Sequence, residues 1–460
     1  MSAPPLDLAR PMLRARRFWS LLGAQSLGSF ADNALRAAAI IAIAGAWRAG
    51  VGAGGDFRVP GWLAAEAGTY VGLCFTLPIM LFSMISGQVA DRYDRHVVIR
   101  VTKVVEVALM LVASVFFALG DAYGLLLFLF FMGAQSAFLA PTRAAMMPQY
   151  FPGRELMRAN GWFQGISLIA IVLGLGAGGA LIGLEAGRTA VSATLVGAAA
   201  LGLWCAYRTP AAPSPGLDRF NWNVVSQSVR MYRDVWRMPG VFWPMIGMGW
   251  FWGVGAIVLA NLENFVAAIG GGAGASPSDN LDFTVFQVLF AVGTGLGSVV
   301  AGLIAARMRD PMTLSGLGLA GTIACSLTIA AISLGVAPPE GTAAVRLVEA
   351  PTPALYALAG TIVATAVFNG FFAVPLITAV QARAPEAERA RVLGTQNMTN
   401  GAGATLMVLL VPPSRALGLT PITLFVGLAA LQCGVLAFML HRRMTHARSV
   451  LTGEAVRTPA

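Results

Sequence analysis

The stretch FWSLLGAQSLGSFADNALRAAAIIAIAGAW, residues 18–47, is an apolar run of membrane-crossing length that carries Gln25, Ser29, Asp32 and Arg36 inside it. Spacings of four, three and four stack these side chains along one face of a helix. Ser26 and Asn33 run beside that stripe. A carboxylate and a guanidinium within a membrane helix cost a few kcal/mol each, so such groups face a partner helix or a water-filled path. The stripe is therefore expected to form the polar wall of a substrate cavity. The alternative is a self-neutralising pair, since an acid four residues before a base can pair with it locally and do no more than orient the helix.

The rest of the chain fits a membrane protein. Of its 460 residues 57 % are hydrophobic and only 11 % charged, and the mean hydropathy is +0.72. Soluble domains carry about 25 % charged residues. The 53 glycines suit helices that approach closely in lipid. The net charge of +10 is scattered between apolar runs, a pattern of membrane topology and not of nucleic-acid binding. Arg10, Arg14, Arg16 and Arg17 ahead of the first run imitate a signal peptide. That run is too long and too polar for one, so an uncleaved first helix is expected.

Windows of about twenty apolar residues span a bilayer, and they fall at 18–47, 66–90, 97–119, 122–147, 158–183, 187–207, 241–268, 283–306, 311–335, 353–381, 391–411 and 420–441. The one sizeable polar stretch, 208–240, opens with Pro210, Pro213 and Pro215 and then reads as a basic amphipathic segment with Trp222, Tyr232 and Trp236. Such a segment suits the headgroup layer. The expected organisation is a six-helix bundle over 1–207, a cytoplasmic linker over 208–240, a second six-helix bundle over 241–443 and a tail over 444–460. Placing the N-terminus in the cytoplasm leaves only Arg48, Arg58, Arg188, Arg346 and Arg415 outside, so both termini are assigned to the cytoplasm.

Nothing in the pattern suggests covalent chemistry, a metal site or a cofactor. Cys74, Cys205, Cys325 and Cys433 sit singly in apolar runs and read as buried thiols. His96, His441 and His446 lie at span ends. Residues 174–179, GLGAGG, match G-x-G-x-x-G formally, but no strand precedes them, so close helix packing is expected there. Polar residues recur at helical spacing elsewhere: Asn160, Gln164 and Ser167 in the fifth span, Thr361, Thr365 and Asn369 in the tenth, Gln396 and Asn400 in the eleventh. Each stripe can simply bond neighbouring helices, yet their presence in both halves favours a shared central cavity. Glu263 falls near the outer end of the seventh span, and Glu106 is placed to pair with Lys103.

The loop Gly87-Gln88-Val89-Ala90-Asp91-Arg92-Tyr93-Asp94-Arg95 resembles the G-x-x-x-D-R-x-x-R signature of the major facilitator superfamily, and 302–310 looks like a degenerate second copy. The resemblance implies an all-α integral membrane protein, twelve transmembrane helices in two six-helix bundles, with Gly87, Asp91, Arg92 and Arg95 acting as a gate. Phe30-Ala31-Asp32-Asn33-Ala34-Leu35, Ala159-Asn160-Gly161, Phe251-Trp252-Gly253-Val254-Gly255, the 370–376 stretch with Gln381 and Arg383, and Gln396-Asn397 are similar to bacterial lysophospholipid transporters. One branch of that family carries an arginine and a glutamate where 256–259 and 398–400 have no charge.

This second resemblance implies a transporter, not an enzyme, that moves a lysophospholipid or another amphipathic small molecule across the bacterial inner membrane by rocking of the two bundles. Asp32, Asn33 and Arg36 would hold the headgroup, with Asn160, Gln164, Glu263, Asn369, Gln396, Asn397 and Asn400 lining the path. Expected partners are membrane lipids and an acyltransferase, with no nucleic acid. A proton-coupled efflux antiporter for amphipathic compounds remains an alternative, as does a non-transporting membrane partner that docks an acyltransferase through 208–240.

Overall fold

The computed structural model describes residues 7–48, 60, 62–63, 67–184, 186–216, 220–270, 281–336, 352–410 and 417–452. They form twelve long helices and one short one: α1 Arg16–Arg48, α2 Ala67–Arg92, α3 Arg95–Leu119, α4 Ala122–Tyr150, α5 Arg154–Ile182, α6 Gly187–Tyr207, α7 Val224–Trp236, α8 Pro239–Gly270, α9 Leu281–Ala305, α10 Met312–Val336, α11 Pro353–Arg383, α12 Arg389–Val408 and α13 Pro421–Thr452. Local chemistry sets several of these ends. The Asp121 side chain accepts from the amides of Tyr123 and Gly124 to start α4, and Asn223 caps α7 through Ser226. Thr352 caps α11 with Pro353 in its first turn, the arrangement that satisfies otherwise orphaned amides.

Ten of the helices are long and apolar enough to cross a membrane. The two long helices that fall short are α1 and α12, which carry the densest polar stripes. The last helix runs on to Thr452, so residues 444–452, expected as tail, are helical.

The two halves pair their helices in the same way. In the first, α1 packs on α5, α2 on α4, and α3 on α4 and α6; in the second, α8 packs on α12, α9 on α11, and α10 on α11 and α13. Between the halves, α2 meets α12 and α5 meets α9. Those are the reciprocal contacts that a pseudo-two-fold axis between repeats requires. The G-x-G-x-x-G stretch serves this packing: Gly174 and Gly178 lie against the carbonyls of Phe30 and Ala34 on α1. Only Cys325 is buried, and Cys433 is exposed. Cys74 and Cys205 are half-buried against the hydrophobic core, so only Cys433 departs from the expected burial, a small, weakly polar side chain being tolerated on an apolar outer surface.

One end of the molecule gathers the arginines and the connecting segments. Arg17, 1 % exposed, donates to the Tyr150 carbonyl and forms an ion pair with Glu155. The linker straps this end: the Arg95 amide donates to the Ala212 carbonyl, and Gln88 exchanges two hydrogen bonds with the Asn221 backbone. From α7, Met231 and Val235 are buried and the Tyr232 hydroxyl meets Thr399 on α12 at 2.7 Å. Burial pushes the Tyr232 phenol up, with the Thr399 hydrogen bond opposing it. Trp222, Val225, Val229 and Trp236 form an exposed apolar stripe on the linker's other face.

Candidate functional site

On α1 the polar stripe is real, but its charges do not pair with one another. Asp32 Oδ2 accepts from Ser136 Oγ on α4 at 2.9 Å, while Oδ1 is buried without a partner. Arg36 instead donates to Asn33 Oδ1 at 3.3 Å and lies over the Phe75 ring of α2, 5.1 Å from its centroid. Asn33 in turn donates to the Ser29 carbonyl. The local Asp32–Arg36 bridge is thus absent, because each side chain finds a better-oriented partner on a neighbouring turn or helix. One turn apart, the two leave a carboxylate oxygen and a guanidinium nitrogen, Arg36 Nε, buried and unsatisfied.

Behind Asp32 lies a polar core that joins three helices. Lys103 and Glu106 pair at 2.7 Å with exposures of 0 % and 1 %, as the spacing suggested. Gln135 on α4, next to Ser136, donates to Glu106 Oε2 at 2.9 Å. The pair is therefore continuous with the Asp32 environment and is more than a local structural bridge. Gln135 and Ser136 escaped the sequence reading because they form a lone polar pair in an apolar span, the next polar residues, Thr142 and Arg143, standing two turns away.

Of the expected gate residues, Gly87 and Asp91 join the two halves in a clasp, with Arg95 beside them. Asp91, 0 % exposed, accepts from the amides of Ala390 and Arg391 at 3.1 Å each, from Arg391 Nε at 3.2 Å and from Arg95 Nη2 at 3.3 Å. It thereby caps the start of α12 in the opposite bundle, where unpaired amides and the dipole favour an anion. Gly87 allows this approach: a Cβ there would stand 2.8 Å from the Ala390 oxygen and the Arg391 Cα. Arg92 points away to the surface beside Tyr93, and its place in the clasp is taken by Arg391, whose role only the fold reveals. In the second half, Asp310 accepts from the Met312 amide at the head of α10.

The other expected path residues divide. Asn160 is 4 % exposed and spans the seam, donating to Thr378 Oγ1 at 2.9 Å and Gln381 Oε1 at 2.6 Å on α11. Asn397 donates to Ser83 Oγ on α2 at 3.0 Å. Both therefore sit in inter-bundle contacts of the closed, arginine-rich half. Beside Asn160, Gly161 packs on Gly302 and Gly165 on Gly295, bringing the α5 and α9 backbones together. All hydrogen bonds between the two bundles among the described residues lie in this half. Gln164 is half-buried on α5. Gln396 Oε1 and Asn400 Oδ1 are buried and unpartnered on α12. Asn369 lines a separate recess within the second bundle. Glu263 lies outside the described side chains. Among the described residues no three His, Cys, Asp or Glu side chains gather as a metal site would require.

Known proteins share this architecture. Lysophospholipid transporter LplT of Klebsiella pneumoniae is 25 % identical over 91 % of this chain and 94 % of its own, and that of Escherichia coli O1:K1 is 24 % identical over 90 % and 92 %. Among solved structures, a bacterial homologue of the iron transporter ferroportin in the outward-facing state superposes with TM-score 0.65 at 15 % identity, covering 92 % of this chain and 99 % of that one. The human organic anion transporter MFSD10 (TETRAN) gives TM-score 0.65 at 13 % identity, with 93 % and 100 % covered. At such identities the two structures speak for the fold alone. The profile of the Major Facilitator Superfamily matches residues 19–408, most of the chain from the first helix to the eleventh transmembrane span, and the chain belongs to that superfamily of transporters.

Proposed function

We propose that this transporter moves lysophospholipids across the bacterial inner membrane by rocking of its two bundles about the seam described above. The observation that carries the reading is the separation of Asp32 and Arg36: an acceptor and a donor one helical turn apart, in an apolar bundle, each buried and not satisfied by the other. A headgroup bearing a phosphate and an ammonium supplies the complement of both. The curated relatives, named for lysophospholipid transport at 24–25 % identity over most of their length, point the same way. Asn33, Gln164, Gln396 and Asn400 would complete the polar lining. Asn160, Asn397, Gly87, Asp91 and Arg95 would hold the seam shut in the state described.

The test is flux of labelled lysophospholipids of several headgroups into proteoliposomes. Movement of at least one, saturable and dependent on the protein, supports the reading. Movement of amphipathic cations alone, driven by an imposed pH gradient, would replace it with the antiporter.

On this reading, supported by the arginine bias, the closed end, both termini and the linker face the cytoplasm, with the Trp222–Trp236 stripe at the headgroup layer. An acyltransferase on that side would consume the delivered lyso-lipid and is the proposed partner. Ser226 is exposed on α7. A Cys at that position, in a background without the native thiols, is expected to react with a membrane-impermeant reagent only after cells are opened. Reaction in intact cells would reverse the topology.

A further inference from the structure

One arginine of the first bundle has no partner within the protein. Arg17, Arg36 and Arg95 each donate to a protein oxygen. Arg143 on α4 donates to none among the described residues, and its Nε is enclosed and unpartnered. The guanidinium lies over the Phe163 ring of α5, 5.9 Å from the centroid, close to the limit of about 6 Å for a cation over a ring. The side chain as a whole is half-buried, so its open part is the forked Nη end. A charge within a membrane helix is costly and marks a partner or a ligand path.

Its place in the fold supplies the path. Ser136, which donates to Asp32, and Arg143 are seven residues apart on α4. They therefore share one face of the helix, about 10 Å apart along its axis. Ala140 between them presents only a methyl group to that face. The helix finishes at Tyr150, whose carbonyl accepts from Arg17 at the arginine-rich end. Arg143 thus lies on the closed side of Asp32, and Arg36, one turn along α1, lies on the other. Asn160, one turn before Phe163 on α5, makes the contacts to Thr378 and Gln381 that join the bundles. Arg143 therefore stands at the floor of the path, beside contacts that must part for this end to open.

We propose that Arg143 is a second anion station, taking the substrate's phosphate at the closed end of the path after Arg36 has met it at the other. This rests on the lysophospholipid reading for the identity of the substrate, but not for the presence of an anion site. The planar fork of an arginine matches phosphate oxygens two at a time. With Lys103 and Glu106 paired, the side chains of Asp32, Arg36 and Arg143 leave one positive charge in excess. An anion offsets that charge and an ammonium alone does not. Because Asp32 stands between the two arginines, a headgroup can keep its ammonium there while its phosphate passes from Arg36 to Arg143. When Asn160 parts from α11, Arg143 is the station from which the phosphate leaves.

The experiment is equilibrium binding of dodecyl phosphate to the purified full chain in nanodiscs, with dodecyl glucoside as the uncharged comparator, beside the lysophospholipid flux assay. Arg143→Gln should weaken dodecyl phosphate about tenfold or more, the effect of one hydrogen bond to a charged group, and leave the glucoside unchanged. Arg143→Lys should recover part of the affinity, since it returns the charge without the fork. Arg143→Gln discards an unpaired charge, so it should melt no lower than wild type, where loss of a structural arginine would melt lower. If Arg143→Gln loses its fold, wild type decides: an arginine-specific dicarbonyl should modify Arg143, and dodecyl phosphate should protect it. Phosphate binding through Arg143 without flux of any lysophospholipid would keep the anion site and remove the lysophospholipid reading. Flux with dodecyl phosphate binding unchanged in a folded Arg143→Gln would do the reverse. Equal loss of glucoside binding, an Arg143 that the reagent never reaches or that dodecyl phosphate leaves unprotected, or full displacement by millimolar inorganic phosphate, the mark of a site for the free ion, would each overturn the proposal.

Discussion

Asp91→Asn is expected to loosen the arginine-rich end and cut transport more than tenfold while leaving the protein folded and inserted. Asp91 is fully buried and its contacts to Arg391 and to the Ala390 and Arg391 amides cross from one bundle to the other. They exist only while this end is closed. Its contact with Arg95 lies within one bundle and survives opening. Hydrogen bonds to charged groups contribute about 1.5–3 kcal/mol each, and stripping one member from a buried ion pair costs about 3–5 kcal/mol. Turning a 99:1 preference into 1:99 takes about 5.5 kcal/mol, so the neutral amide removes a large share of what keeps the closed state populated.

Ser298 is 0 % exposed and its carbonyl packs on Gly161 across the other seam, away from Asp91. A Cys there should label faster in the Asp91→Asn background. Arg391→Gln should reproduce the effect and Arg95→Gln should do so more weakly, because only Arg391 bridges the halves. Wild-type flux with unchanged labelling would reduce the loop to a topology anchor.

The sequence carried the helices well, and the reason is physical. In a bilayer every backbone polar group is satisfied within its own helix, so span length and polarity alone locate the elements, and the structure moves their ends by only a few residues in most cases. The stripes of α1 and α12 were legible because a period of about 3.6 singles out polar residues in an apolar field. What escaped was pairing between helices. Asp32 meets Ser136, more than 100 positions away, and Asp91 meets Arg391, some 300 positions away. No periodicity encodes such partners. Asn160 illustrates the cost. Its helical spacing with Gln164 suggested a wall of the path, yet the fold turns it onto Thr378 and Gln381, while Gln164 stays half-buried one turn away.

The second large effect is at Asp32. Asp32→Asn keeps the shape and can still accept from Ser136, yet it removes the only charge on α1 that an ammonium-bearing headgroup could meet. If that contact is a buried ion pair in the bound state, losing one partner costs about 3–5 kcal/mol, so lysophospholipid transport should fall by about a hundredfold or more with thermal stability retained. Arg36 does not depend on Asp32 for a partner, as it is held by Asn33 and Phe75. The double change Asp32→Asn with Arg36→Gln should therefore stay inactive. Recovery of transport in the double variant would mean that the two charges only neutralise each other and that the headgroup is held elsewhere. Ser136→Ala supplies the graded comparison. It removes one hydrogen bond to the carboxylate, worth about 1.5–3 kcal/mol at most, and should lower flux less than Asp32→Asn does. The same proteoliposomes decide the coupling. Asp32 oxygens face Ser136 and the Lys103–Glu106–Gln135 core, so a proton carried by Asp32 would make the wild-type rate follow an imposed pH gradient. A rate indifferent to that gradient, with the Asp32→Asn loss intact, leaves the carboxylate as a fixed charge for the headgroup and excludes it as the proton carrier of an antiporter.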